Sequence, residues 1–123
     1  MATVTVSRFS NALEENSFDG KGIKAFEQAY EATSALTLVD AFEQHVCYAQ
    51  LTGAMTINAT VSALKQFSKV YIHLGTDGTQ RIVTLGTGFQ ASGTVTIPAN
   101  KSAILQGVFN GTTIDIVSRE IHA

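Results

Sequence analysis

Hydrophobic and polar positions alternate along most of this chain after residue 36, and alternation at every second residue marks strands with one buried face. Leu36, Leu38 and Asp40 alternate with Thr37, Val39 and Ala41, and a second β-like run covers residues 45–51. Another, at 54–58, follows a break at Gly53, and residues 62–67 read as a loop or a single helical turn. Residues 69–74 form the clearest strand, with Val70, Ile72 and Leu74 on one face and Tyr71 and His73 on the other. Asp77-Gly78 is a tight-turn signal, since this pair tolerates the positive φ of a two-residue hairpin, and it predicts a return strand over 81–85. Residues 93–97 alternate and stop at Pro98, which has no N–H to give a central ladder. Residues 102–109 and 112–118 flank Asn110-Gly111, a hairpin sequence. About eight strands separated by regular turn signals predict a mainly β fold, a jelly-roll-like β-sandwich.

The first third of the chain reads differently. Val4 and Val6 alternate with Thr3, Thr5 and Ser7, which predicts a short strand over 3–9, placed to close a sheet edge or to reach a partner. Residues 11–22 are polar and turn-rich. Ile23, Phe26, Ala29 and Tyr30 then fall at helical spacing, with Lys24, Glu27, Gln28 and Glu31 on the other side, which predicts one amphipathic helix over 22–33. The chain thus divides into an N-terminal docking segment (1–34; strand, loop and helix) and a β-sandwich (35–123), within one structural domain. The residues expected to meet a partner are Val4, Val6, Phe9, Ile23, Phe26 and Tyr30.

Composition narrows the function. A chain of 123 residues suits one domain. Its 15% of charged residues is well under the roughly 25% of a typical soluble domain, which points to a surface of small polar residues or one covered by a neighbour. A net charge of −2 gives no bulk attraction to phosphate backbones, so no nucleic-acid partner is expected. No run approaches the roughly 20 apolar residues of a membrane span, and the first residues lack the pattern of a Sec-type signal. The lone Cys47 allows no intramolecular disulfide and fits synthesis in a reducing cytoplasm.

Candidate chemistry is sparse. Gly86-Thr87-Gly88-Phe89-Gln90-Ala91 matches G-x-G-x-x-A, but the β-rich residues after it cannot supply the helix whose N-terminus holds a pyrophosphate. The glycines are expected to make a sharp loop. His45 and Cys47 share a strand face, and His73 adds a third soft ligand, too few for a closed zinc site. Cys47 with His73 is the one pair that suggests a nucleophile and a base, and no G-x-S-x-G elbow is present. The expectation is a protein with no catalytic residues, no cofactor and no metal.

The second half carries a resemblance. Leu51-Thr52-Gly53-Ala54-Met55-Thr56-Ile57, Val83-Thr84-Leu85-Gly86-Thr87-Gly88-Phe89, the stretch Ser92-Gly93-Thr94-Val95-Thr96-Ile97-Pro98-Ala99-Asn100-Lys101-Ser102, and Val108-Phe109-Asn110-Gly111-Thr112-Thr113-Ile114-Asp115-Ile116-Val117-Ser118-Arg119 together resemble a β-rich module of tailed-bacteriophage virion proteins. The shared pattern is a Gly-x-Gly-Phe corner, a G-T-V-T strand running to Lys-Ser, and a final hairpin ending in V-S-R. Ile114 stands where an aromatic is common in that module, and the chain has no Trp. The resemblance covers residues 48–119 and says nothing of the first 45. It implies a homo-oligomer, a trimer first, and a place in the virion: a capsid auxiliary or decoration protein that binds the major capsid protein or another virion protein. A fibre, collar or tail subunit is the alternative, and a glycan-binding module using exposed Tyr48, Tyr71 or Phe89 is a second.

Overall fold

A strand that buries every second side chain needs a partner layer over its apolar face, and here the chain supplies it by crossing repeatedly between two sheets. The computed structural model describes residues 22–90 and 93–122. The strands β1 (Ile23–Glu27), β3 (Glu43–Leu51), β5 (Lys69–Thr76), β8 (Ser102–Phe109) and β9 (Ile114–His122) lie in that order in a five-stranded sheet. The strands β2 (Thr33–Thr37), β4 (Met55–Thr60), β6 (Arg81–Leu85) and β7 (Gly93–Ile97) form a four-stranded sheet, again in that order.

From β1 to β6 the chain alternates between the sheets, so each strand lies beside the one two places away. The seams β1/β3, β3/β5, β2/β4 and β4/β6 are all parallel. A parallel pair cannot be joined by a tight turn, and here the crossover is a strand of the opposite sheet. The result is a stack of flattened coils, each of roughly 20–30 residues, the repeat length of solenoid-like folds. The last strands change the pattern, with β6/β7, β5/β8 and β8/β9 antiparallel.

The inner faces meet in one apolar core. Val46, Ile72, Leu105, Leu36, Ile57, Val83, Leu85 and Ile97 are wholly shielded from solvent, and burying such side chains contributes about 1.5–3 kcal/mol each. Ser34 and Gln44 are wholly shielded with them, and both side chains are hydrogen-bonded. Ser34 Oγ and Tyr48 Oη lie 2.7 Å apart and tie β2 to β3 through the core. Burial pushes the Tyr48 phenol above its ordinary pKa, so it stays protonated. The Gln44 amide accepts from Val39 N–H at 3.1 Å and donates to Val39 C=O at 2.9 Å, replacing a strand neighbour at the corner into β3.

Several expectations are corrected here. The helix over 22–33 is absent; those residues hold β1 and the start of β2, and there is no helix among the described residues. Ile23, Phe26 and Tyr30 fit a helical stripe, but the parallel ladder to β3 takes the backbone, and burial in β1 alternates residue by residue. The expected boundary at residue 34 falls inside β2. A jelly roll is built of antiparallel strands, whereas these are two mixed sheets in a β-sandwich-like arrangement. Asp77-Gly78 does not close a hairpin, because β5 and β6 belong to different sheets. Gly78 does not take a positive φ. The corner is held instead by Asp77, whose carboxylate accepts from Arg81 Nε at 3.0 Å and Nη2 at 2.7 Å.

Other expectations hold. The strand at 93–97 is β7, and β8 and β9 form the C-terminal hairpin. Its loop spans residues 110–113, with Gly111 at φ 103° and the Asn110 carboxamide oxygen accepting from the N–H groups of Thr112 and Thr113, each at 2.9 Å.

Candidate functional site

The outer face of the five-stranded sheet carries His45, Cys47 and His73. Parallel pairing sets Glu43 beside Lys69, His45 beside Tyr71 and Cys47 beside His73. Because alternate residues share a face, all six project outward while Val46, Val70 and Ile72 fill the core. The His45 and Tyr71 rings stack with centroids 4.5 Å apart and planes 5° from parallel. His45 Nδ1 lies 2.9 Å from His73 Nε2, and His45 Nε2 lies 2.7 Å from Glu43 Oε2.

These distances define a chain of one carboxylate and two imidazoles. Ionised Glu43 only accepts, so His45 donates through Nε2. Neutral His45 then presents Nδ1 as an acceptor, and His73 Nε2–H donates to it. The His73 pKa is lowered, first by burial and then by the adjacent His45 charge.

Around it lies a shallow, open depression of about 510 Å³ lined by Ala25, Phe26, Glu27, His45, Cys47 and His73. Cys47 is half-buried beside His73, and its thiol makes no hydrogen bond among the described residues. The suggested thiol–imidazole pair is thus adjacent, but His73 turns Nε2 to His45 instead. Among the described residues no group of three or more His, Cys, Asp or Glu side chains is arranged to hold a metal ion.

A second feature lies where β3 and β5 begin. Phe67 is 70% exposed and Phe42 49% exposed, with a hollow of about 230 Å³ between them bordered by Asp40, Lys65 and Gln66. Phe67 has a φ of 72°, in the left-handed region that bulky residues rarely occupy. Its N–H donates to Phe109 C=O at 2.8 Å, and Phe109 N–H donates to Ser68 C=O at 2.9 Å, which pins the conformation. Lys69 Nζ lies 5.9 Å from the centroid of the Phe42 ring, within cation–π range.

The sequence-predicted residues are dispersed. Val4, Val6 and Phe9 lie outside the described residues. Ile23 points outward and is 58% exposed, whereas Phe26 and Tyr30 pack against the core, and the Tyr30 hydroxyl donates to Ala54 C=O at 2.9 Å. The three do not share a face, since residues three apart on a strand point to opposite sides. Of the proposed sugar-stacking rings, Tyr48 and Phe89 are core residues and Tyr71 is stacked on His45. The Gly86–Phe89 segment is the sharp loop expected of it, with Gly88 at φ 93° packed on the Ala59 backbone.

Sequence reasoning did not single out Glu43, Phe42 or Phe67. The i, i+2 spacing of Glu43 and His45 is a signal that was available; nothing local marks Phe67, whose exposure is a tertiary property. No protein-family model matches this chain, and no curated protein matches it.

Proposed function

We propose that this protein works by assembly: a non-enzymatic virion structural protein, an auxiliary or decoration protein that forms a homo-oligomer and docks on a phage capsid. The observation that carries the assembly reading is Phe67. A ring left largely in water beside a half-exposed Phe42, on a left-handed backbone that costs about 1–3 kcal/mol, gains little from burial in the lone chain. Covered by a neighbour, it becomes the aromatic anchor that dominates many interfaces. The low charge of the chain agrees with a surface that spends its life against other protein.

The placement in a phage particle rests on the resemblance of residues 48–119 to virion modules, as does the trimer. A fibre, collar or tail subunit is the alternative. The glycan-binding reading loses support, since two of its three rings are buried.

The test is the mass of the purified chain by light scattering, with and without Phe67→Ser, followed by co-sedimentation with capsids. The expected result is an oligomer that dissociates or weakens on substitution and sediments with the particles. A strict monomer that binds no capsid would overturn the proposal.

A further inference from the structure

The loop of the C-terminal hairpin holds a chemically labile pair. Asn110 is the chain's one asparagine followed by glycine. Glycine leaves the next backbone nitrogen unhindered, because no β-carbon screens it. That nitrogen can attack the carboxamide carbon and close a five-membered succinimide. The Gly111 N–H proton passes to solvent and a bond forms between Gly111 N and Asn110 Cγ. The Cγ–Nδ2 bond breaks, and Nδ2 takes a proton from solvent and leaves as ammonia. Water then opens the ring at either carbonyl, giving aspartate or isoaspartate.

The fold ties down every polar atom of that carboxamide. Asn110 Oδ1 accepts from the N–H groups of Thr112 and Thr113, each at 2.9 Å. Nδ2 donates to Gln90 Oε1 at 2.8 Å and to Thr113 Oγ1 at 3.3 Å. The Thr113 hydroxyl donates in turn to the same Gln90 oxygen at 2.7 Å. Gln90 is itself fixed to the start of β9. Its N–H donates to Ile114 C=O at 2.7 Å, and Ile114 N–H donates to Gly88 C=O at 2.8 Å. To react, the carboxamide carbon must turn tetrahedral and give up Nδ2. A planar group held at both ends does so only after these bonds part.

We propose that Asn110 is a deamidation site that the fold holds shut, with Gln90 and Thr113 as the clamp, so that the succinimide forms only when the loop opens. The product matters to the hairpin. Isoaspartate carries the main chain through the former side chain and lengthens the loop by a methylene, and neither product has an N–H to give Gln90. Conversion therefore loosens the tie between the hairpin and the loop after β6. The proposal is independent of the virion reading and of any oligomer.

The experiment incubates the full chain in mildly alkaline buffer, folded and in concentrated urea, and follows conversion at Asn110 by peptide mapping and mass spectrometry. Gln90→Ala and Thr113→Val each remove part of the clamp. Gln66→Ala is the control, since that side chain lies over Gly111 without bonding the carboxamide. Urea titrations confirm that each variant is folded during the incubation. Conversion should be at least about tenfold slower in the folded chain than in urea, the effect of one or two hydrogen bonds. Gln90→Ala and Thr113→Val should each speed it about three- to tenfold in the folded state, and Gln66→Ala should leave it unchanged. Equal or faster conversion in the folded chain, no acceleration in either clamp variant, or the same acceleration in Gln66→Ala would each overturn the proposal.

Discussion

Strands β1 to β6 pass back and forth between the sheets and pair in parallel with strands one coil away, whereas β8 and β9 turn back and pair with each other. Both regions bury alternate apolar residues in the same core. They differ in how far along the chain each strand reaches for its neighbour. The hairpin needs only a four-residue loop, in which Gly111 supplies the left-handed position and Asn110 satisfies the freed amides. A parallel seam needs a whole coil in place before its first ladder bond forms, and its loop-closure entropy is correspondingly larger. The comparison therefore concerns folding order as much as architecture.

The largest effects test that order. Ile57→Ala in β4 and Leu105→Ala in β8 each empty a fully buried site and should each cost about 2–5 kcal/mol of stability. Stopped-flow chevrons should separate them: Leu105→Ala slows folding, whereas Ile57→Ala chiefly speeds unfolding. Equal partition in the two variants would erase the kinetic distinction between the regions.

Next in size is the buried polar tie within the coils. Ser34→Ala leaves the Tyr48 hydroxyl without its partner and should cost about 1–3 kcal/mol. Adding Tyr48→Phe should recover much of that loss, because both polar groups are then gone. Urea titrations of the two variants check this, and a double variant weaker than the single one would contradict it.

Two glycines contrast turn with corner. Gly111→Ala forces a β-carbon onto a φ of 103° and should cost about 1–2 kcal/mol. Gly78→Ala, in the β5–β6 corner, meets open space and an ordinary φ, so it should be neutral or slightly stabilising. Thermal melts of both decide whether the corner is held by its glycine or by the Asp77–Arg81 fork.

The smallest effect is the pH dependence across the β3/β5 seam. His73 has a folded pKa below its ordinary 6.5, so the unfolded chain binds this proton first as pH falls. Its contribution to stability is fully present above 6.5 and is lost as pH drops through the folded value. Urea midpoints measured on either side of that range should fall toward acid, and His73→Gln should flatten the decline. An unchanged slope in that variant would remove the histidine pair as its source.

How much of this was legible in the chain differs between these regions in the same way. The strand at 93–97, the C-terminal hairpin and the shared face of His45 and Cys47 follow from local pattern. So does the outward orientation of Tyr71 and His73. The stretch around Ile23, Phe26 and Tyr30 was misread because three apolar residues at loose spacing satisfy a helix as well as a strand. The pairing with β3 that decides between them lies twenty residues on. The candidate site was half legible. Its residue types stood out, but the Glu43–His45–His73 chain exists only because β3 and β5 are in parallel register.

By itself, then, the amino-acid order determined which side chains share a face in strands such as those at 69–74 and 93–97, since alternation at every second residue is a property of each strand alone. It also determined where the final hairpin turns, because Asn110 and Gly111 satisfy that loop locally. Only the tertiary structure decided which strands are neighbours, that the seams among the first six strands run parallel, and that Phe67 is held out in solvent. Alternation is identical in parallel and antiparallel ladders, so the choice between them falls to long-range packing of one coil on the next.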